Sequence, residues 1–75
     1  MIIYSEKCMA CTHKQQWRNI RQLARKRGEN IVERRAIRGS VWAEEAGRYN
    51  FPMPFMVIGD KAVDINKPLD ELEKL

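Results

Sequence analysis

The only two cysteines of this chain stand three residues apart, Cys8-Met9-Ala10-Cys11, between the apolar run Met1–Tyr4 and a long basic stretch. This placement restricts the fold more than any other feature. A buried strand has to end, and a helix has to begin, within the few residues that carry both thiols. At a helix start, unpaired N–H groups and the positive end of the macrodipole favour a thiolate on the first cysteine. Lys7 sets a further positive charge beside Cys8. A Cys-x-x-Cys bridge closes too small a loop to stabilise a fold. The pair therefore points to dithiol–disulfide chemistry rather than to architecture.

The 75 residues make one small domain, 1–75, with a modest core. The apolar start is too short for a secretory signal, and no run approaches a membrane span. The expectation is a cytoplasmic protein with no membrane partner, where a Cys-x-x-Cys is catalytic or metal-binding. Charge is uneven. Residues 1–38 carry ten Lys and Arg against Glu6, Glu29 and Glu33, whereas residues 39–75 carry four against seven Asp and Glu. The basic half holds the cysteines, which implies an electropositive face suited to acidic partners. Lys7, Lys14, Arg34, Arg35 and Arg38 are the residues expected to build it.

Hydrophobic spacing predicts the element order β-α-β-α-β-β-α in an α/β fold. Met1–Tyr4 reads as a buried strand. Residues 9–27 read as one helix, with Trp17, Ile20, Leu23 and Ala24 on its apolar stripe and Gly28 as terminator. Ile31–Ile37 reads as a strand whose charged middle suits a sheet edge. Ser40 is placed to cap a helix over 41–49 with Trp42, Ala46 and Tyr49 buried. Phe55–Ile58 and Lys61–Ile65 read as strands joined by the turn Gly59-Asp60. Asn66 is placed to cap a last helix bearing Leu69, Leu72 and Leu75. An early βαβ unit with a later hairpin gives a four-stranded mixed sheet flanked by helices.

With Lys7-Cys8-Met9-Ala10-Cys11 after the first strand and Met53-Pro54 opening the third, the chain resembles the thioredoxin superfamily. It is most similar to the small glutaredoxins and glutaredoxin-like redoxins of phage or bacterial type. The resemblance implies the minimal thioredoxin fold and a thiol–disulfide oxidoreductase that reduces protein disulfides. It implies Cys8 as nucleophile and Cys11 as resolving thiol, the two forming the redox-active disulfide, with Cys8 partly exposed and Cys11 more buried. Substrate binding falls to Lys7 and to Met53 before a cis Pro54, with Pro52 trans. No bound cofactor is implied. The electron source is glutathione or a flavin-dependent thioredoxin reductase, and the partner is a disulfide-containing protein such as ribonucleotide reductase. The chain departs from glutaredoxins at Met9-Ala10 and at Val63–Lys67, which lacks the glycine pair that holds the γ-glutamyl end of glutathione.

Two other readings stand beside this one. Cys8, Cys11 and His13 are three metal-ligand types within six residues, but tetrahedral zinc requires a fourth; no metal site is assigned. His13 reads otherwise as an exposed helix residue. The basic residues of 14–38 could mark a nucleic-acid-binding module. No base-reading motif accompanies them, and Trp17 and Trp42 fall on apolar helix stripes, so the expected partner is a protein.

Overall fold

The computed structural model describes residues 1–74. Its elements are β1 (Ile2–Ser5), α1 (Met9–Thr12), α2 (Lys14–Arg27), β2 (Val32–Arg35), α3 (Val41–Gly47), β3 (Phe55–Ile58), β4 (Lys61–Asp64) and α4 (Leu69–Glu73). The strands form one mixed sheet in the order β2-β1-β3-β4. β1 runs parallel to β2 and antiparallel to β3, and β4 returns antiparallel to β3. Strand β2 lies at an edge, as its charged middle predicts.

Alternation along the strands divides the core into two layers. Ile3 and Met56 are register partners on one face, where they meet Met9, Ile20, Leu23, Val63, Ile65 and Leu72. Tyr4 and Phe55 are partners on the other face, packed with Ala36, Ala46 and Val57. Helices α2 and α4 therefore cover one side of the sheet and α3 the other. The Tyr4 and Phe55 rings stack at 5.2 Å between centroids.

Local chemistry accounts for the boundaries. Helix α2 ends where Gly28 adopts φ 67°. Gly28 N–H bonds Arg25 O and Glu29 N–H bonds Ala24 O, the paired closure of a Schellman motif. Ser40 Oγ accepts from Ala43 N–H and caps α3. Gly59, at φ 63°, makes the two-residue turn between Ile58 and Lys61.

Five expectations are corrected. The helix over 9–27 is two helices, because His13 leaves helical geometry at φ −131°, ψ 60°. Thr12 Oγ1 bonds back to Cys8 O at 2.8 Å, a side-chain competitor for the backbone ladder at the break. Strand β2 is shorter than 31–37, and Ile37 is exposed. Trp42 is not core but exposed, with the Arg34 guanidinium 4.5 Å from its ring centroid. Helix α3 ends at Gly47 rather than at 49. Pro68 rather than Asn66 occupies the N-cap of α4, since its carbonyl takes the first helical N–H bonds. Asn66 instead bonds Asp64 and Gln16. Leu75 lies outside the described residues.

Candidate active site

The site lies where β1 ends and α1 begins. Tyr4 and Ser5 are fully buried, so the strand is anchored in the sheet up to its last residue. Glu6 and Lys7 turn the chain outward, and Cys8 takes the N-cap position of α1. The Cys8 carbonyl accepts from Cys11 N–H at 3.2 Å and Thr12 N–H at 3.1 Å, closing a single helical turn.

Both cysteines are free thiols. Cys11 Sγ donates to Cys8 Sγ at 2.8 Å. This hydrogen bond is the main cause that lowers the Cys8 pKa from the ordinary thiol value. The Cys11 N–H lowers it further, desolvation opposes this, and the Ala10 N–H and the charge of Arg35 add smaller lowering effects. The same bond raises the Cys11 pKa, because its thiol proton is held by the neighbouring sulfur. The two thiols are thus differentiated: Cys8 is the group that ionises first and Cys11 is its proton-bearing partner.

Their exposure is the reverse of the expected order. Cys8 is half-buried and Cys11 is exposed. The cause is helical geometry. In α1 only Met9 enters the core, and at about 100° per residue Cys11 stands on roughly the opposite side of the turn. Because α1 stops at Thr12, no following turn in line with it covers Cys11.

Beside the dithiol lies a cleft of about 180 Å³ walled by Ser5, Glu6, Lys7, Met9, Thr12, His13, Met53 and Pro54. The fold therefore brings Lys7, Met53 and Pro54 to the loop that carries Cys8. The Met53–Pro54 peptide bond is cis, and it is the only cis bond among the described residues, so Pro52 is trans. His13 is half-buried in the cleft wall rather than exposed on a helix, with Nδ1 2.8 Å from Thr12 Oγ1. Ser5 Oγ is buried and has no hydrogen-bond partner among the described residues.

The positive residues divide differently from the expectation. Lys7 is exposed on the cleft wall and is not among the causes that shift Cys8. Arg35, across the parallel β1–β2 pair from Ser5, is the cation that acts on both thiols, and Lys14 acts on Cys11. Arg34 is turned to the opposite face, where it bonds Tyr4 Oη and Glu45. Alternation along β2 separates Arg34 from Arg35; that signal was available in the sequence once the strand was assigned. Thr12 and His13 were missed as wall residues because an unbroken helix was expected there.

Among the described residues, no group of three or more His, Cys, Asp and Glu side chains is placed to hold a metal ion. No helix among them is long and apolar enough to cross a membrane. No known protein family, curated protein or solved structure matches the chain. What the site defines directly is a small α/β protein with an asymmetric pair of vicinal-turn thiols at the mouth of a cleft.

Proposed function

We propose that the protein is a thiol–disulfide oxidoreductase of the thioredoxin superfamily, a glutaredoxin-like redoxin that reduces disulfides in partner proteins. The observation that carries this reading is the Cys11-to-Cys8 hydrogen bond, which makes one thiol acidic and holds the proton on the other. The strand order, the helices on both sheet faces and the cis Met53–Pro54 bond beside the thiols support the superfamily assignment.

In this mechanism the Cys8 thiolate attacks one sulfur of the substrate disulfide. The substrate S–S bond breaks, a Cys8–substrate disulfide forms, and the departing sulfur takes a proton. Cys11 then gives up its proton and attacks Cys8 Sγ. The mixed disulfide breaks, the second substrate thiol leaves, and Cys8–Cys11 is oxidised. Two electrons pass from the thiol pair to the substrate; one proton comes from Cys11 and the other from solvent, which took it up when Cys8 ionised. The exposure of Cys11 lets it reach the mixed disulfide without prior unfolding of the turn. The cleft beside Met53 and Pro54 receives the chain segment that carries the substrate disulfide, and Lys7 faces the same segment.

Returning the protein to the dithiol state requires glutathione or a flavin-dependent reductase. The stretch Val63-Asp64-Ile65-Asn66-Lys67, without a glycine pair, favours the flavoenzyme. Ribonucleotide reductase is the partner class that the resemblance suggests.

The test is reduction of a protein disulfide under a dithiol reductant, with Cys8→Ser and Cys11→Ser beside the wild type. Cys8→Ser is expected to be inactive, and Cys11→Ser to accumulate a mixed disulfide visible by mass. Wild-type turnover by Cys8→Ser would refute the assignment.

A further inference from the structure

Helix α2 contains six Lys and Arg and no acidic residue. At about 100° per residue, Lys14, Arg18, Arg21 and Arg25 fall within an arc of roughly 60°. They form a straight row about 16 Å long, at steps of about 4.5–6 Å. All four are exposed. None has a hydrogen-bond or ion-pair partner for its side chain among the described residues. Four neighbouring cations are engaged: Lys26 pairs with Glu73, Arg27 with Glu29, Arg34 with Glu45 and Arg35 with Glu33. Like charges stacked at i,i+3 and i,i+4 destabilise a helix. This arrangement therefore opposes the stability of α2 and offers an unneutralised line of positive charge. Arg18, Arg21 and Arg25, with Gln22, also line a shallow hollow on this face.

The row has a direction. It begins at Lys14, whose charge acts on Cys11, and runs away from the dithiol along α2. An anionic chain lying on it has one end at the reactive sulfurs. Three of the four cations are arginines, whose planar forks match carboxylates. No exposed aromatic side chain stands in the row to stack nucleic-acid bases, because Trp17 packs against the core.

We propose that the Lys14–Arg18–Arg21–Arg25 row is the docking rail for an acidic polypeptide segment that flanks the disulfide of the partner protein. This rests on the redox function proposed above and locates its partner specificity on α2 rather than on Lys7, Arg34 and Arg38. A segment of about five residues in extended form, or about eleven in helical form, spans the row.

Two measurements decide it. The first compares kcat/KM for two synthetic disulfide peptides that share one disulfide and differ only in a Glu-rich or Gln-rich flank. The wild type is expected to prefer the acidic peptide about tenfold at low salt, within the range of electrostatic steering. The preference should vanish at 1 M salt, where the screening length is about 3 Å. The triple variant Arg18→Gln, Arg21→Gln, Arg25→Gln should lose the preference and keep its rate on the neutral peptide. Equal rates on both peptides in the wild type, or a preference that survives in the triple variant, would overturn the rail.

The second measures binding of a disulfide-free Glu-rich peptide to Cys8→Ser, by fluorescence anisotropy, with and without the three Arg substitutions. It stays informative if the protein reduces no disulfide at all, the result that would remove the redox reading. Binding lost in the triple variant supports the rail. Binding that is unaffected by it, or displacement of the peptide by an equal concentration of single-stranded oligonucleotide, overturns it.

Discussion

The two sides of the sheet treat their polar groups in opposite ways. Beneath α3, Tyr4, Arg34 and Glu45 satisfy one another: Tyr4 Oη donates to Glu45, and Arg34 donates to both. Trp42 covers the guanidinium. Around α1 and α2, polar groups are left open. The Cys8 and Cys11 side chains have no side-chain partner but each other and Ser5 Oγ has none among the described residues, and the row from Lys14 to Arg25 faces solvent. Closed networks lower the energy of one structure, whereas open groups are available to a second molecule. Positive charge alone does not separate the two cases. Arg34 and Arg18 count equally in composition, yet only one is free to bind a partner.

The largest effect that sharpens this contrast is a loss of function without a loss of stability. Cys8→Ser is expected to bring disulfide reduction down to the uncatalysed background. Its thermal unfolding midpoint should stay near that of the wild type, because the half-buried thiol supports no core contact. A parallel fall in both would place Cys8 among the structural residues.

Glu45→Ala should act in the opposite sense. It leaves Arg34 and the buried Tyr4 hydroxyl without their shared acceptor, at an expected cost of about 1–3 kcal/mol in unfolding free energy. Activity on a small disulfide should be retained under conditions where the variant is folded. Chemical denaturation read beside turnover checks both halves of the statement. A variant that is fully stable but slow would dissolve the division between the two faces.

A smaller effect appears on the pH axis. Burial first, and then the hydrogen bond to Glu45, raise the pKa of Tyr4 above its ordinary value of 10.0. The folded chain holds the phenol proton more tightly than the unfolded chain. That stabilisation is complete below about pH 10 and is lost as pH rises through the higher folded value. Alkaline unfolding should therefore be delayed in Tyr4→Phe relative to the wild type when each is scaled to its stability at neutral pH.

The smallest effect concerns Arg35. Alkylation of Cys8 should persist at pH values below the ordinary thiol range, since its pKa is lowered chiefly by the Cys11 thiol. Cys11→Ala should move that profile upward, and Arg35→Gln should move it upward by less, as the weakest of the contributing causes. Mass-resolved alkylation rates across pH give the ranking. An Arg35→Gln shift larger than that of Cys11→Ala would reverse the account of the site.

The element order was legible in the sequence because each device is local. Apolar runs of strand length, Ser40 before a helix, Gly28 after one and Gly59-Asp60 between two strands act over a few residues. The two cysteines were legible for the same reason, since a three-residue spacing at a strand–helix junction is a local fact. The break at His13 was not, because the hydrogen bond from the Thr12 hydroxyl to the Cys8 carbonyl that accompanies it leaves no mark in the hydrophobic spacing. The cap of α4 was misplaced because Asn66 found partners 50 residues away in Gln16 and nearby in Asp64.

What the sequence by itself determined is the order of strands and helices apart from the break at His13, the presence of a closely spaced thiol pair and the basic character of the half that bears it. Only the tertiary structure decided which charges are available. Pairing across β2 and α3 neutralises Arg34, packing of β2 beside β1 sets Arg35 near the sulfurs, and α2 aligns four cations that no carboxylate of the described residues reaches. The fates of Arg34 and Arg35 depend on contacts between segments far apart in the chain, and the exposure of Cys11 on a helix that ends after one turn. Composition sums charges regardless of place. Folding assigns each one either a partner or open solvent.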